Sequence, residues 1–359
     1  MAEITSINEC WNNIRKEFTL NSELFLDFGK CRIVLKTNSP ELTQKLIGYF
    51  KGFVAEKIEE KEDIVIEAIE GNPPEFKETF TIKTPDLGKK KIKEEYLDLN
   101  DGRIVRKRLT GMVFLFGAGK NYAIGNCIEN DNQVINFINN RFIEWLLKQK
   151  YLLAHAAAVI HKGKGIAMAG FSGAGKSTLA LHLMSKGCEF VSNDRLLVKR
   201  NGNGVDMRGV AKLPRINPGT ALNNEELSGI IPEEERETFN KMLKEELWEL
   251  EQKYDVYIDQ CFGEGKFFLE SSVDLIVILN WKLDNGPTKV TQVNFNERRD
   301  LLEAFMKPVG LFYDIYAEIP PHDEEAYLQE LQGIPVLEFS GSVDFEKAVN
   351  SCIDFFNKG

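Results

Sequence analysis

Eight consecutive residues in the middle of the chain carry chemistry that can be read before any fold is known: Gly170-Phe171-Ser172-Gly173-Ala174-Gly175-Lys176-Ser177. They fill every fixed position of the pattern G-x-x-x-x-G-K-[ST], in which each residue type has a task. Glycines let the backbone curl until several N–H groups face one phosphate. Lys176 adds a positive charge on a long stem, and Ser177 offers a hydroxyl to Mg2+. A helix starting here also presents its first N–H groups to the same anion. Residues Gly170 to Thr178 are therefore expected to bind the phosphates of a nucleotide such as ATP.

The flanking elements suit that task. Ile166-Ala167-Met168-Ala169 is a short apolar run fit for a buried strand. Behind the loop, Leu179, Ala180, Leu183 and Met184 recur at helical spacing, and Gly187 is a stop. A phosphate loop needs a carboxylate close by, to complete the metal shell or to take a proton, and the end of the next strand is its natural source. Glu189-Phe190-Val191-Ser192 reads as that strand, so Asp194, eighteen residues beyond Lys176, is the candidate; with Ser177 it would hold Mg2+. The similar run Phe116-Gly117-Ala118-Gly119-Lys120 lacks the first glycine and the hydroxyl, and is expected to be a β-turn. His155 stands alone in the apolar strand Leu152–Ile160, where a core histidine is the ordinary reading.

The rest of the chain bounds the function. With 359 residues there is room for two cores, expected over 1–150 and 151–359. A net charge of −10 argues against a broad basic face for nucleic acid. Six scattered cysteines without a C-x-x-C pair point to reduced thiols in the cytoplasm. The N-terminus has no signal-peptide pattern, and no apolar run approaches the ~18 residues of a membrane span. The first part reads as mixed α/β: hairpins around Gly29-Lys30 and Asp101-Gly102, a helix opened by Ser39-Pro40, and a strand over 64–69. Val134, Ile138, Phe142 and Trp145 mark a helix over 131–150 that would connect the two domains. Further on, a helix is expected over 232–253 with Phe239, Leu243, Leu247 and Leu250 inward, a buried strand over 275–279, a helix over 297–305, a strand over 336–339 and a helix over 344–356.

Several of these residues resemble the HPr kinase/phosphorylase family, whose ATP-binding core is similar to that of PEP carboxykinase. The family has a His fifteen residues before the first loop glycine, matched by His155; a GDSGVGKS-type loop, matched by GFSGAGKS; and an Asp-Asp pair at the next strand end, matched by Asn193-Asp194. Its later E-I-R-G element resembles Asp206-Met207-Arg208-Gly209. The likeness is firm over about Leu152 to Gly209, and the outer regions look most like the branch called HprK-related kinase B. That resemblance associates the chain with an ATP-grasp protein and an amphi-Trp protein, and family members often form hexamers. One departure matters: the family's first Asp is the proton-accepting base for the target serine, and position 193 here is Asn, which cannot take a proton at neutral pH.

The resulting expectation is a PEP-carboxykinase-like α/β core behind an N-terminal α/β accessory domain. The activity expected is transfer of the γ-phosphate of ATP, with Mg2+, to the Ser/Thr hydroxyl of a protein acceptor. Lys176, Asp194 and His155 would be the catalytic residues, with Asp194 or His155 handling the acceptor proton. Arg195, Arg208, Lys212 and Arg215 are candidate cations for the transferring phosphoryl group. A small-molecule kinase on the same core stays open, as does a catalytically weak ATP-binding switch, which Asn193 would favour.

Overall fold

The computed structural model describes residues 6–58, 61–85, 91–171, 173–243, 246–247, 250, 252–283 and 285–357. The chain is mixed α/β and divides into two compact units, Met1–Gln149 with Val309–Ile319, and Lys150–Pro308 with Pro320–Gly359. A short segment from late in the chain thus belongs to the first unit. No described helix is long and apolar enough to cross a membrane.

The first unit is built on a nine-stranded sheet of order β3-β1-β2-β4-β9-β8-β7-β6-β5. Its strands are β1 (Ser22–Asp27), β2 (Arg32–Thr37), β3 (Val54–Ala55), β4 (Ile64–Glu70), β5 (Thr81–Ile82), β6 (Glu94–Leu99), β7 (Gly102–Lys107), β8 (Val113–Gly117) and β9 (Lys120–Gly125). Helices α1 (Ile7–Arg15), α2 (Pro40–Tyr49) and α3 (Asp131–Lys148) pack on it. The Ser39 hydroxyl caps α2 by accepting from the Leu42 N–H at 3.1 Å. The GAGK run at 117–120 is the expected tight turn: Gly117 pairs with Lys120, and Ala118 and Gly119 take φ of 48° and 74°. Helix α3 lies within this unit and carries a buried ion pair, Arg141 to Glu144 at 2.8 Å. The pair ties down the late segment, since Arg141 also donates to the Phe312 carbonyl and Glu144 accepts from the Asp314 N–H at 2.7 Å.

The second unit contains a six-stranded sheet of order β13-β11-β12-β19-β21-β20 and a four-stranded one of order β10-β14-β15-β18. These strands are β10 (Leu152–Ala154), β11 (Ala156–His161), β12 (Lys164–Gly170), β13 (Glu189–Ser192), β14 (Leu196–Asn201), β15 (Gly204–Arg208), β18 (Glu270–Ser272), β19 (Leu275–Lys282), β20 (Lys289–Val293) and β21 (Val336–Ser342), with β16 (Arg215–Ile216) and β17 (Tyr254–Asp255) forming a separate pair. The central strands β11, β12 and β19 of the larger sheet are buried on both faces, which is why they read as nearly unbroken apolar runs. Met168 and Val277 face the core that includes Leu179 and Leu183 of helix α4 (Lys176–Met184) and Val349 of the helix Phe345–Asn357. Ala156, Ala158, Ala167 and Ala169 face the other way, into the core shared with Leu196, Val198 and Met207 of the smaller sheet. Small side chains let the two sheets approach closely there.

Three expectations are corrected. The stretch 152–160 is not one strand: it breaks at His155, with β10 pairing in the smaller sheet and β11 in the larger. The helix expected over 232–253 is interrupted: Glu233–Asn240 is helical, residues 241–243 are not, and residues 246–247 are helical again; Leu243 is exposed, while Leu247 and Leu250 pack partly against the core. Residues 244–245, 248–249 and 251 of that expectation lie outside the described residues. The helix expected over 297–305 is a single turn, Arg299–Leu302. Hydrophobic spacing alone missed the interruption of the one and the shortness of the other, because the same spacing serves irregular segments that pack on a core.

Candidate functional site

The direction and register of three strands bring the sequence candidates to one end of the larger sheet. Strands β11 and β12 form an antiparallel hairpin in which Ala156 pairs with Ala169 and His161 with Lys164, so His155 and Gly170 lie next to the first of these pairs. The two-residue turn that sets this register has Lys162 and Gly163 at φ of 50° and 77°. Strand β13 is also antiparallel to β11, with Ala158 opposite Ser192, so it ends on the same side as β12. Asn193, Asp194 and Arg195 lie between β13 in the larger sheet and β14 in the smaller one. His155 marks the same change of sheet in the opposite direction, between β10 and β11.

The glycine loop leaves β12 at Gly170 and enters α4 at Gly175, whose φ of 87° only glycine adopts without strain. The N–H groups of Gly175, Lys176 and Ser177 find no acceptor among the described residues, as at any helix start that no side chain caps. Lys176 folds back so that its Nζ donates to the Gly170 carbonyl at 2.9 Å. Burial lowers the Lys176 pKa; Asp194 acts in the opposite sense and Lys307 adds to the lowering. Thr178 shares a hydrogen bond with Thr220 at 3.1 Å between their Oγ1 atoms, and Phe171 is exposed at the loop. Ser172 lies outside the described residues.

Asp194 is the electrostatic centre of this end of the sheet. Its Oδ1 lies 2.9 Å from His155 Nε2, and its Oδ2 accepts from Lys307 Nζ at 3.4 Å. Burial alone would raise the carboxyl pKa, but the His155 hydrogen bond and the charges of Lys307 and Arg195 outweigh it and hold Asp194 well below the usual carboxylate range. An ionised carboxylate only accepts, so His155 Nε2 carries the hydrogen and Nδ1 is the free lone pair in the neutral ring. Lys212 belongs to the same field: its pKa is pushed down to about 8, first by burial and then by Arg195, with Asp194 opposing and Arg215 adding. Three residues before Lys212, Gly209 packs so closely on β13 that a Cβ would stand 2.0 Å from the Val191 carbonyl oxygen.

Two of the other candidate cations are held in ion pairs of their own. Arg208 is buried and paired with Glu270, and Arg215 pairs with Asp255 at 3.2 Å. Asn193 has a buried amide oxygen that accepts nothing among the described residues. An amide tolerates that position at less cost than an unpaired carboxylate would.

Lys307, by contrast, was not among the sequence candidates. It stands 113 residues beyond Asp194 in no motif, and it arrives because Met306 bridges to Ala154 while the His155 N–H donates to the Phe305 carbonyl at 2.7 Å. No local signal marks it.

The oxygen donors present suit Mg2+, which takes one or two carboxylates or hydroxyls together with substrate phosphates rather than a protein cage. Ser177 and Asp194 supply such donors, and each Asp194 oxygen keeps acceptor capacity beyond the one contact described. Among the described residues no group of three or more His, Cys, Asp or Glu side chains is placed to hold a metal.

No protein-family model and no curated protein matches the chain. Among solved structures, the chain is similar to the Hpr(Ser) kinase/phosphatase from Coxiella burnetii, at 12% identity over 57% of this chain and 91% of that one, with a TM-score of 0.29. A likeness that loose decides nothing about chemistry, so the functional reading rests on the loop and on the side chains gathered around Asp194.

Proposed function

We propose that the chain is an ATP-dependent kinase that transfers the γ-phosphoryl group to a hydroxyl of a protein acceptor. The observation that carries this reading is the arrangement of Lys176 and the glycine loop at the same sheet end as the His155–Asp194 pair. Phosphoryl transfer asks the protein mainly for positioning and for fixed positive charge. The loop N–H groups and Lys176 would grip the β- and γ-phosphates. Lys307, with Lys212 and Arg195 in the same field, would oppose charge on the transferring group. Ser177 and Asp194 would hold Mg2+, which neutralises phosphate charge when bound.

Two side chains could receive the proton of the acceptor hydroxyl, Asp194 and His155. A general base works best with a pKa near the operating pH, and Asp194 is held far below it. His155 would therefore take the proton at Nδ1, with Asp194 fixing the ring through Nε2 and stabilising the resulting imidazolium.

The test is Lys176→Ala, assayed for ATP turnover and for ATP binding, with circular dichroism to check the fold. Turnover should vanish with the fold intact; normal turnover in this variant would remove the assignment. A second reading, an ATP-binding switch of weak catalytic power, is favoured by Asn193 and by the low basicity of Asp194. Tight ATP binding by the wild-type chain, with neither transfer nor hydrolysis, would select it. Labelled ATP offered with protein and metabolite acceptors separates a protein kinase from a small-molecule kinase.

A further inference from the structure

The glycine loop has a support that its motif does not contain. Strand β19 runs parallel to β12 and pairs Leu279 with Gly170, then continues to Lys282, so it carries Trp281 past the point where β12 ends. The Trp281 indole, 5% exposed, donates its Nε1–H to the Ala174 carbonyl at 2.8 Å. Phe345 completes the support. Its ring centroid is 5.2 Å from that of Trp281 and 5.6 Å from that of His182 on α4. A Cβ on Gly175 would stand 2.6 Å from Phe345 Cζ, so the ring lies directly against the loop backbone.

This contact has a directional consequence. Across a planar trans peptide, a carbonyl and the N–H that follows it point in opposite directions. Holding the Ala174 carbonyl against a buried indole therefore turns the Gly175 N–H away from the interior. We propose that Trp281 is a positioning residue for phosphate binding, presetting the Gly175 N–H toward the anion before the anion arrives. The inference rests on the nucleotide reading above and adds to it a residue outside the motif. Donors oriented in advance need no rearrangement when the anion binds, and this is where such a contact would act.

Trp281→Phe removes the donor while keeping a ring against Phe339 and Phe345, which lie 5.9 and 5.2 Å from the indole. The dissociation constant for ATP·Mg2+, measured by calorimetry, should rise about three- to tenfold, the range expected for one lost neutral hydrogen bond. KM for ATP should rise with it, while kcat at saturating ATP is retained, as for an interaction made equally in ground and transition states. The nucleotide-free melting temperature should fall by only a few degrees, as for one lost hydrogen bond and a smaller ring at a buried position. If the phenylalanine variant does not fold, a benzothienylalanine at position 281 keeps the bicyclic volume, lacks the N–H, and is read in the same way. Wild-type affinity in a folded variant, or a lowered melting temperature with affinity retained, overturns the proposal and leaves the nucleotide reading standing. A wild-type chain that binds no ATP overturns both.

Discussion

His155 Nε2 and Asp194 Oδ1 lie 2.9 Å apart, and each residue occupies a break where the chain changes from one sheet of the second unit to the other. One crosses into the larger sheet and the other out of it. Neither residue takes part in a regular strand there, so both side chains are directed by the crossing of the two sheets.

Breaking this pair should impair transfer more than binding. Asp194→Asn keeps the shape but removes the charge that orients His155 and pairs with Lys307. Turnover should fall by about 10²- to 10⁴-fold, the usual range for a positioned acid–base group. His155→Asn should lie in the same range, and the double variant should cost little more than either single one, since the two act as a unit. Rate and ATP affinity, measured separately on all three variants, check this; additive losses would dissolve the pair.

Lys307→Ala should lower kcat/KM by about 10- to 100-fold, the value of a charge-assisted contact. It should also move the acid limb of the rate profile upward. Asp194 has a depressed pKa, so its ionised form persists as pH falls below the ordinary carboxylate value, and its contribution is lost only through its own lower value. Removing Lys307 brings that loss to higher pH. An unchanged acid limb in a pH–rate series would show that Lys307 does not act through Asp194.

Lys212 should produce a basic limb. In the free protein its pKa is about 8, so the positive charge it offers an anion is present below that pH and lost above it. kcat/KM for ATP should therefore decline as pH rises through about 8. Lys212→Arg keeps its charge at any accessible pH and should shift the limb upward. For stability the sign is reversed. Between the folded value of about 8 and the ordinary value of ~10.4 the unfolded chain binds more protons, so stability from this group rises with pH.

Gly209→Ala should destabilise the second unit, because the new Cβ would meet the Val191 carbonyl oxygen at 2.0 Å, and backbone cannot yield as a side chain does. A loss of about 1–3 kcal/mol is expected from such overpacking. Urea unfolding measures it.

Arg141→Met removes one partner of a buried pair and leaves Glu144 without the guanidinium that offsets its burial. A loss of about 3–5 kcal/mol is expected. The same change removes a donor to the Phe312 carbonyl, so limited proteolysis within Val309–Ile319 should speed up. Cleavage at the wild-type rate would show that other contacts hold the segment, such as Arg103 to Leu311 and Tyr316 to the Leu99 carbonyl.

What the sequence determined by itself is local. Gly170, Gly175, Lys176 and Ser177 specify a curled backbone entering a helix, and the apolar run before them specifies a strand, because both depend on near neighbours. Even the fifteen-residue spacing from His155 to Gly170 has a local cause: two strands joined by a two-residue turn pair Ala156 with Ala169, the residues next to those positions. Tertiary structure decided the rest. Lys307 reaches Asp194 through a bridge between Met306 and Ala154, and Trp281 reaches Ala174 because β19 runs longer than its neighbour. The break at His155 follows from two sheets crossing over a bed of alanines, where apolar patterning predicted one continuous strand. Short-range geometry is written in spacing, whereas the cations around the site and the indole behind the loop depend on which distant segments share a core, and spacing carries no record of that.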